Sequence, residues 1–268
     1  MFSGARGIEM KLISQNTDLR GVDCHIHSRF SPDAKGAGAD EPQRIADTVR
    51  ERGLRGFIVT DHIDVGHWNG YLPDFEQYFS AWERVRRDNP DIVVYIGLEV
   101  GFEREHAEET ARIVKDLPLE YVINSVHYYS PVSGSHNCFE LGRDAAYTEY
   151  LKAVSASLDA PYEFSTVGHL GFPERYAPYP AGEREMSYEL FMPLFDEIIK
   201  KAVSRGIRFE ENTNAGGEMR LPRADFLRAY KAAGGVRPVI GSDAHVSASI
   251  GQHFAAAEKF LDGIFGKE

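Results

Sequence analysis

The sequence has few of the features that define several protein classes. Its two cysteines, Cys24 and Cys138, are far apart and form no Cys-X-X-Cys pattern, so we expect neither a disulfide framework nor a thiolate metal cluster. No stretch approaches the roughly 20 apolar residues that a membrane helix needs. Residues 1–20 mix charged residues without the apolar run of a secretory segment. These absences predict a cytoplasmic protein with no membrane partner.

Basic residues are also in the minority. The chain has 30 Lys and Arg against 41 Asp and Glu, a formal net charge of −11. Nucleic acids bind clustered Lys and Arg that neutralise phosphates, so this balance argues against a nucleic-acid partner and leaves a small phosphorylated substrate open. The charge does not separate a metalloenzyme from an acidic protein without metal, and nothing in the sequence indicates the oligomeric state.

No Gly/Ser-rich linker or charge run divides the chain, so we expect an N-terminal tail over residues 1–20 and one domain over residues 21–268. Strand-like and helix-like segments alternate along it, the longest predicted helix running from Met186 to Arg205 before Gly206. Seven strand-then-helix units predict parallel strands in one sheet. Their period of roughly 35 residues favours a distorted, closed (β/α)7 barrel over an open sheet.

Residues of the types that ligate metal ions lie at the ends of the predicted strands. They are His25 and His27, His62, Glu99, His127, His169, and Asp243 followed by His245. Because parallel strands end at one common edge, we expect these side chains to meet there. His25 and His27 also share one side of their strand, since strand side chains alternate.

Each of these residues has an ordinary explanation when taken alone. A single His at a strand end is often a hydrogen-bonded core residue, Glu99 fits a solvated edge, and Ser242-Asp243 fits a helix cap. Together they predict a metal centre, because burying so many polar groups without a cation is unfavourable. Imidazole and carboxylate without thiolate suit Zn, Mn or Fe. The number of ligands exceeds what one ion needs, so more than one is expected, with Glu99 suited to bridge two.

The ordered motifs resemble the polymerase and histidinol phosphatase (PHP) superfamily. They are His25-Ile26-His27, Asp33, Thr60-Asp61-His62, Gly97-Leu98-Glu99, Ser125-Val126-His127, Gly168-His169 and Ser242-Asp243-Ala244-His245. Within the superfamily the chain is most similar to the histidinol-phosphate phosphatases, through the segments 120–128 and Glu211-Asn212-Thr213. The resemblance covers nearly the whole domain, from about Val22 to His245.

The resemblance implies a PHP-type barrel that holds three divalent ions through nine ligands. The ligand sets would be His25, His27, Glu99 and Asp243; Glu99, His127 and His169; and Asp33, His62 and His245. Taken alone, Ser31-Pro32-Asp33 reads equally well as a turn. The implied reaction is hydrolysis of L-histidinol phosphate in histidine biosynthesis, with a metal-bridging hydroxide and no side-chain nucleophile.

Three further residues are candidate substrate contacts. Arg175, six residues after His169, and Arg220 would clamp the phosphate, and His67 would reach the pocket as an acid or a substrate contact. Each also fits a simpler role, a surface charge for the arginines and a hydrogen-bonded loop residue for His67. The loop from Asn214 to Met219 is longer than the family pattern, which leaves the role of Arg220 and the exact substrate open.

Three other functions fit parts of the pattern. A PHP-type nuclease or nucleotide phosphatase would share every ligand, but the chain lacks a basic strip with interleaved aromatic residues. An amidohydrolase would bring a bridging lysine and an eighth strand, and neither is apparent in the sequence. A non-catalytic metal-binding protein would bind the ions without turnover.

Overall fold

Parallel strands and the helices between them make up most of the computed structural model, which describes residues 12–33, 40–129, 139–215 and 219–267. Cys138 and residues 1–11 and 216–218 of the predicted tail and loop lie outside this range. The strands are β1 Val22–Ile26, β2 Gly56–Val59, β3 His62–Ile63, β4 Val93–Gly101, β5 Tyr121–Ser125, β6 Thr166–Val167, β7 Arg208–Asn212 and β8 Val239–Gly241. The helices are α1 Pro42–Glu51, α2 Phe75–Asp88, α3 Ala107–Val114, α4 Arg143–Ser157, α5 Met192–Arg205, α6 Ala224–Ala232 and α7 Phe254–Phe265.

The strands are all parallel and follow the order β1-β2-β4-β5-β6-β7-β8. The short β3 continues the direction of β2, and both strands pair with β4. Val59 pairs with Ile96 and His62 pairs with Glu99, so the two strands share one register along β4. Seven strand positions result. A bridge between Ile26 and Ala244 brings the first and last strands together, and the barrel is nearly closed. The predicted seven-stranded parallel barrel is confirmed.

The barrel interior has an apolar lower half and a polar upper half. Side chains from several strands fill the lower half, and Leu19 covers them from below. This interior layer consists of Val22, Cys24, Ile58, Tyr121, Ile123 and Val239. A second and larger core lies between the sheet and the helices. The polar side chains of the predicted site occupy the upper half, at the carboxyl ends of the strands.

The described part of the predicted N-terminal tail packs against the barrel. The backbone N–H of Ile13 donates to the carbonyl of Glu120 at 2.8 Å, and the side chain of Gln15 donates to the carbonyl of Ser165 at 2.9 Å. Residues 12–20 therefore close the amino end of the barrel, below the apolar layer. The division of the chain at residue 20 stays a prediction.

One helix starts later than its sequence pattern predicts. The prediction placed its start at Met186, but α5 begins at Met192, with Pro193 in its first turn. The backbone N–H of Met186 instead donates to Glu174 at 3.0 Å, and that of Tyr188 donates to Asp225 at 2.8 Å. In a helix that began at Met186, Pro193 would lie in the interior, where it lacks the N–H of the i→i−4 hydrogen bond; in the first turn of α5 that N–H is not needed.

Candidate metal centre

The nine predicted ligands lie together at the carboxyl end of the barrel. Most of them sit on or just beyond strand ends, and Asp33 lies in the loop after β1. Seven are buried, whereas Asp33 and His245 are partly exposed. The parallel arrangement brings these residues to one edge although they are spread over more than 200 residues of sequence.

Glu99 is at the centre of the group, and its two carboxylate oxygens face different histidines. Oε1 lies 2.9 Å from His169 Nε2 and 3.1 Å from His127 Nε2. Oε2 lies 3.1 Å from His25 Nε2 and 3.1 Å from His62 Nδ1. One carboxylate thus adjoins two separate sets of imidazole nitrogens, the geometry that a bridging ligand requires.

The other two predicted carboxylate ligands, Asp33 and Asp243, also adjoin histidines. Asp243 Oδ1 lies 3.3 Å from His27 Nε2, and Asp33 Oδ2 lies 2.8 Å from His245 Nε2 and 3.3 Å from His62 Nε2. The structure therefore gathers all three predicted ligand sets. It also places three or more candidate ligand atoms within 4.8 Å of one another in four groups. These are His25, His27 and Glu99; Glu99, His127 and His169; His27, His62 and His245; and His62, Asp64 and His127.

The donor atoms fit bound cations better than they fit one another. His25 Nε2 and His27 Nε2 face each other at 3.0 Å, although at most one of two such nitrogens donates a proton. Within the described ranges, several buried polar atoms of the group have no hydrogen-bond partner. They are Asp33 Oδ1, His62 Nδ1, Asp64 Oδ2, Glu99 Oε2 and His169 Nδ1. Buried polar atoms without partners are costly, and divalent cations would satisfy them.

Three of the histidines are held through the ring nitrogen that points away from the centre. His25 Nδ1 lies 2.7 Å from Glu210 Oε1, and His127 Nδ1 lies 2.8 Å from Asp64 Oδ1. His27 Nδ1 lies 3.0 Å from the hydroxyl of Ser31. An acceptor at Nδ1 places the proton there and leaves the Nε2 lone pair directed at a metal, as is usual for ligating histidines.

Asp64 and Glu210 were absent from the sequence prediction, although a signal for both existed. Asp64 is two residues after His62, and Glu210 is two residues before Asn212, so alternation sends each pair to one side of its strand. Two glycines make room for them. A Cβ at Gly101 would lie 1.8 Å from Asp64 Oδ1, and a Cβ at Gly241 would lie 2.1 Å from Glu210 Oε1.

The pKa shifts separate residues that already have their metal-binding protonation state from histidines that must give up a proton to a cation. Burial alone would raise the pKa of Glu99, but the neighbouring His25, His62 and His127 hold it well below its usual range. Burial, with the nearby His245 and His62, lowers the pKa of His27 to about 3. At neutral pH Glu99 is therefore an anion and His27 a neutral imidazole, the forms in which both bind metal ions. Against the effect of burial, neighbouring carboxylates raise the pKa of His25 well above its usual range and that of His127 to about 10.

Two predicted ligands have strained backbones. His169 has φ of +21° and Asp243 has φ of +51°, the left-handed region that side chains other than glycine rarely adopt. The carboxylate of Glu210 accepts the backbone N–H of His169 at 2.8 Å, and Asp243 accepts from Arg175 at 3.2 Å. Strain of this kind is common where a site must hold side chains in fixed positions.

A cavity of about 230 Å³ opens onto the group. Of the three predicted substrate contacts, only Arg175 lines it, between Asp243 and the side-chain oxygen of Asn212. Arg220 pairs with Glu211 at 3.0 Å and stacks over Phe260.

His67 lies beside the cavity-lining Tyr128 and is 3.0 Å from Glu103 Oε2. Neither Arg220 nor His67 is among the described residues that line the cavity. Their predicted roles in substrate binding stay predictions.

The sequence matches a family model over most of its length. The model of the PHP domain covers residues 23–214, which include the ligand candidates from His25 to His169. The chain belongs to the PHP domain family. The resemblance inferred from the motifs is confirmed.

Several proteins named histidinol-phosphatase are similar to this chain over most of their lengths. A probable histidinol-phosphatase of Clostridium acetobutylicum is 26% identical over 246 residues, covering 90% of this chain and 92% of the relative. The histidinol-phosphatase of Lactococcus lactis is 25% identical, over 85% and 86% of the two chains. The structure also superposes on a crystal structure of histidinol phosphate phosphatase from L. lactis with zinc, L-histidinol and phosphate. The TM-score is 0.78 at 22% sequence identity, and the match covers 91% of this chain and 93% of that chain. At this identity the superposition shows a shared fold.

No helix in the described parts of the chain is long and apolar enough to cross a membrane.

Proposed function

We propose that this protein is a metal-dependent phosphatase that hydrolyses L-histidinol phosphate to L-histidinol and phosphate. The observation that carries the proposal is the cavity lined by Glu99, six further ligand candidates and Arg175, with His25 and His27 adjoining Glu99 behind it. Membership of the PHP family and the names of the relatives support it. The cavity of about 230 Å³ suits a small phosphomonoester better than a folded polymer.

The proposed cofactors are three divalent ions, Zn, Mn or Fe. They would be held by His25, His27, Glu99 and Asp243; by Glu99, His127 and His169; and by Asp33, His62 and His245. When bound, such ions lower the pKa of a coordinated water and neutralise charge on phosphoryl oxygens. Asp64 and Glu210 would orient His127 and His25 through their Nδ1 atoms.

Arg175 is the proposed phosphate clamp. Its two terminal nitrogens are held by Asp243 and Asn212, and its Nε is buried without a hydrogen-bond partner among the described residues. A guanidinium fixed in this way presents donors to phosphate oxygens without losing further side-chain freedom.

A phosphate-release assay on a panel of phosphomonoesters tests the proposal. Protein loaded with Zn, Mn or Fe should hydrolyse L-histidinol phosphate with a higher kcat/KM than nucleoside monophosphates or phosphotyrosine. Arg175→Lys keeps the positive charge but cannot donate two hydrogen bonds in the bidentate geometry of a guanidinium. The KM of this variant should therefore rise about 10-fold or more, while its metal content stays unchanged. A higher kcat/KM for a nucleotide would show that L-histidinol phosphate is not the preferred substrate. Bound metal without turnover of any ester would identify a metal-binding protein that is not an enzyme.

A further inference from the structure

Four aromatic side chains line the cavity beside the polar ligand candidates. They are Trp68, Tyr128, Phe172 and Tyr176. Phe172 packs against His169 at 4.9 Å between ring centroids and is almost buried, so it belongs to the wall. Trp68 is 42% exposed, and no aromatic contact holds its ring among the described residues. An exposed indole among the residues that line a polar cavity is accessible to a molecule bound there.

The backbone that presents Trp68 has an unusual conformation. Trp68, Asn69 and Gly70 have φ of +52°, +57° and +68°, three consecutive residues in the left-handed region. Side chains other than glycine disfavour this region, and consecutive cases are rare. The N–H of Gly70 donates to the carbonyl of His67 at 2.9 Å and closes the turn. The turn places Trp68 at the mouth of the cavity at a local conformational cost.

Both sides of this turn are anchored. His67 lies 3.0 Å from Glu103 Oε2, and its ring stacks on Tyr128 with 3.1 Å between centroids and 8° between planes. On the other side, the hydroxyl of Tyr71 donates to the carbonyl of Phe30 at 2.9 Å. The anchors fix the turn between them and connect it to a second cavity-lining ring. His67 thereby acts on the cavity through its neighbours.

We propose that Trp68 and Tyr128 form a subsite that binds a planar ring in the alcohol part of the substrate. The proposal deepens the proposed function and rests on it only for the reaction type, hydrolysis of a phosphomonoester. Ring faces favour offset or edge-to-face contact with another planar π system over a saturated ring of the same size. The predicted substrate class is therefore phosphomonoesters of alcohols that carry an aromatic or heteroaromatic ring.

Two matched substrates isolate the ring from the leaving-group chemistry. Benzyl phosphate and cyclohexylmethyl phosphate both release a primary alcohol and differ in the planarity of the ring. Metal-loaded protein should hydrolyse the benzyl ester with about 10-fold higher kcat/KM, the size of effect that one aromatic contact supplies. Trp68→Leu should reduce the ratio to near one, and Trp68→Phe should keep most of it. Leu190→Ala, an exposed residue outside the cavity lining, is the control and should leave the ratio unchanged.

A second measurement does not depend on turnover. The chain has two tryptophans, and Trp82 is fully buried, so Trp82→Phe makes Trp68 the sole indole emitter. Benzylphosphonate, which is not hydrolysed, should change the emission of Trp68 and protect it from acrylamide quenching in the metal-loaded variant. Cyclohexylmethylphosphonate should do so only at about 10-fold higher concentration.

A negative result in either the kinetic or the fluorescence measurement would contradict the proposed subsite. A wild-type ratio near one, or a ratio that Trp68→Leu leaves unchanged, would overturn it even if L-histidinol phosphate is hydrolysed. Emission that does not respond to benzylphosphonate would do the same. If neither ester is hydrolysed, the fluorescence titration alone decides whether the subsite exists, and phosphate release from L-histidinol phosphate decides the proposed function separately.

Discussion

Two neighbouring glutamates on β7 face different regions of the molecule. Both Glu210 and Glu211 are fully buried, but strand alternation points Glu210 into the barrel and Glu211 towards the helices. Glu210 accepts from the N–H of His169 at 2.8 Å and lies 2.7 Å from His25 Nδ1. Glu211 has a single partner, Arg220 at 3.0 Å, and its second oxygen has none among the described residues.

The difference teaches that burial alone does not assign a role to a carboxylate. The inner face supplies several donors for Glu210, which makes it part of the framework that orients His25. The outer face supplies one donor for Glu211, and burial outweighs Arg220 and raises its pKa to about 8. We expect substitutions on the inner face to affect metal binding, and substitutions on the outer face to affect stability.

The largest effect is expected at the centre of the inner region. Glu99→Gln removes the negative charge between two sets of imidazoles, and we expect turnover to fall by about 1,000-fold or more together with the loss of bound metal. Phosphate release and metal content by atomic emission are the measurements, with circular dichroism to show that the fold remains. Retention of both activity and metal would contradict the site.

Gly241→Ala tests whether the space beside Glu210 matters. The added Cβ would lie 2.1 Å from Glu210 Oε1 and 2.5 Å from His25 Cβ, so both must move. We expect metal affinity to fall by about 100-fold, measured by chelator competition. Gly263→Ala in α7, where a Cβ meets nothing within 4 Å, is the matched control and should be neutral or stabilise the helix by up to about 1 kcal/mol. Equal affinities in the two variants would remove the proposed role of Gly241.

Glu210→Gln should have a smaller effect on the same property. The amide that replaces one oxygen presents a donor either to His25 Nδ1 or to the backbone N–H of His169, and one of them loses its acceptor. We expect metal affinity to fall by about 10-fold with little change in the melting temperature. An unchanged affinity for all three metals would mean that Glu210 has only a packing role.

Glu211→Gln should keep the metal affinity within about 2-fold of the wild-type value. It should instead change how the free energy of unfolding depends on pH. Because the pKa of Glu211 is raised to about 8 in the folded state, its contribution to stability is complete below pH 4.5 and is lost as the pH rises towards 8. The variant should therefore gain stability relative to wild type between pH 5 and pH 8.5, on the order of 3 kcal/mol. Urea unfolding at both pH values measures the difference, and a difference that does not change with pH would refute the raised pKa.

Much of the site could be predicted because ligand types recur at strand ends. The equal spacing of His25, His62 and Glu99 matches the register in which His62 pairs with Glu99. The helix predicted from Met186 was wrong in its first six residues, because Pro193 is tolerated in the first turn of a helix and not in its interior. Arg175 and Arg220 are equivalent in sequence terms, yet only Arg175 lines the cavity.

By itself the sequence determined the family, the parallel barrel and the edge at which imidazoles and carboxylates meet. The barrel and the common edge follow from local alternation and from the repeat of strand and helix, both of which are properties of short segments. The family follows from the ordered motifs that resemble it. The tertiary structure alone decided which acceptor holds each histidine, which arginine enters the cavity and how the turn at Trp68 is anchored. Those depend on contacts between residues far apart in sequence, where small differences in strand register and loop path select one partner over another.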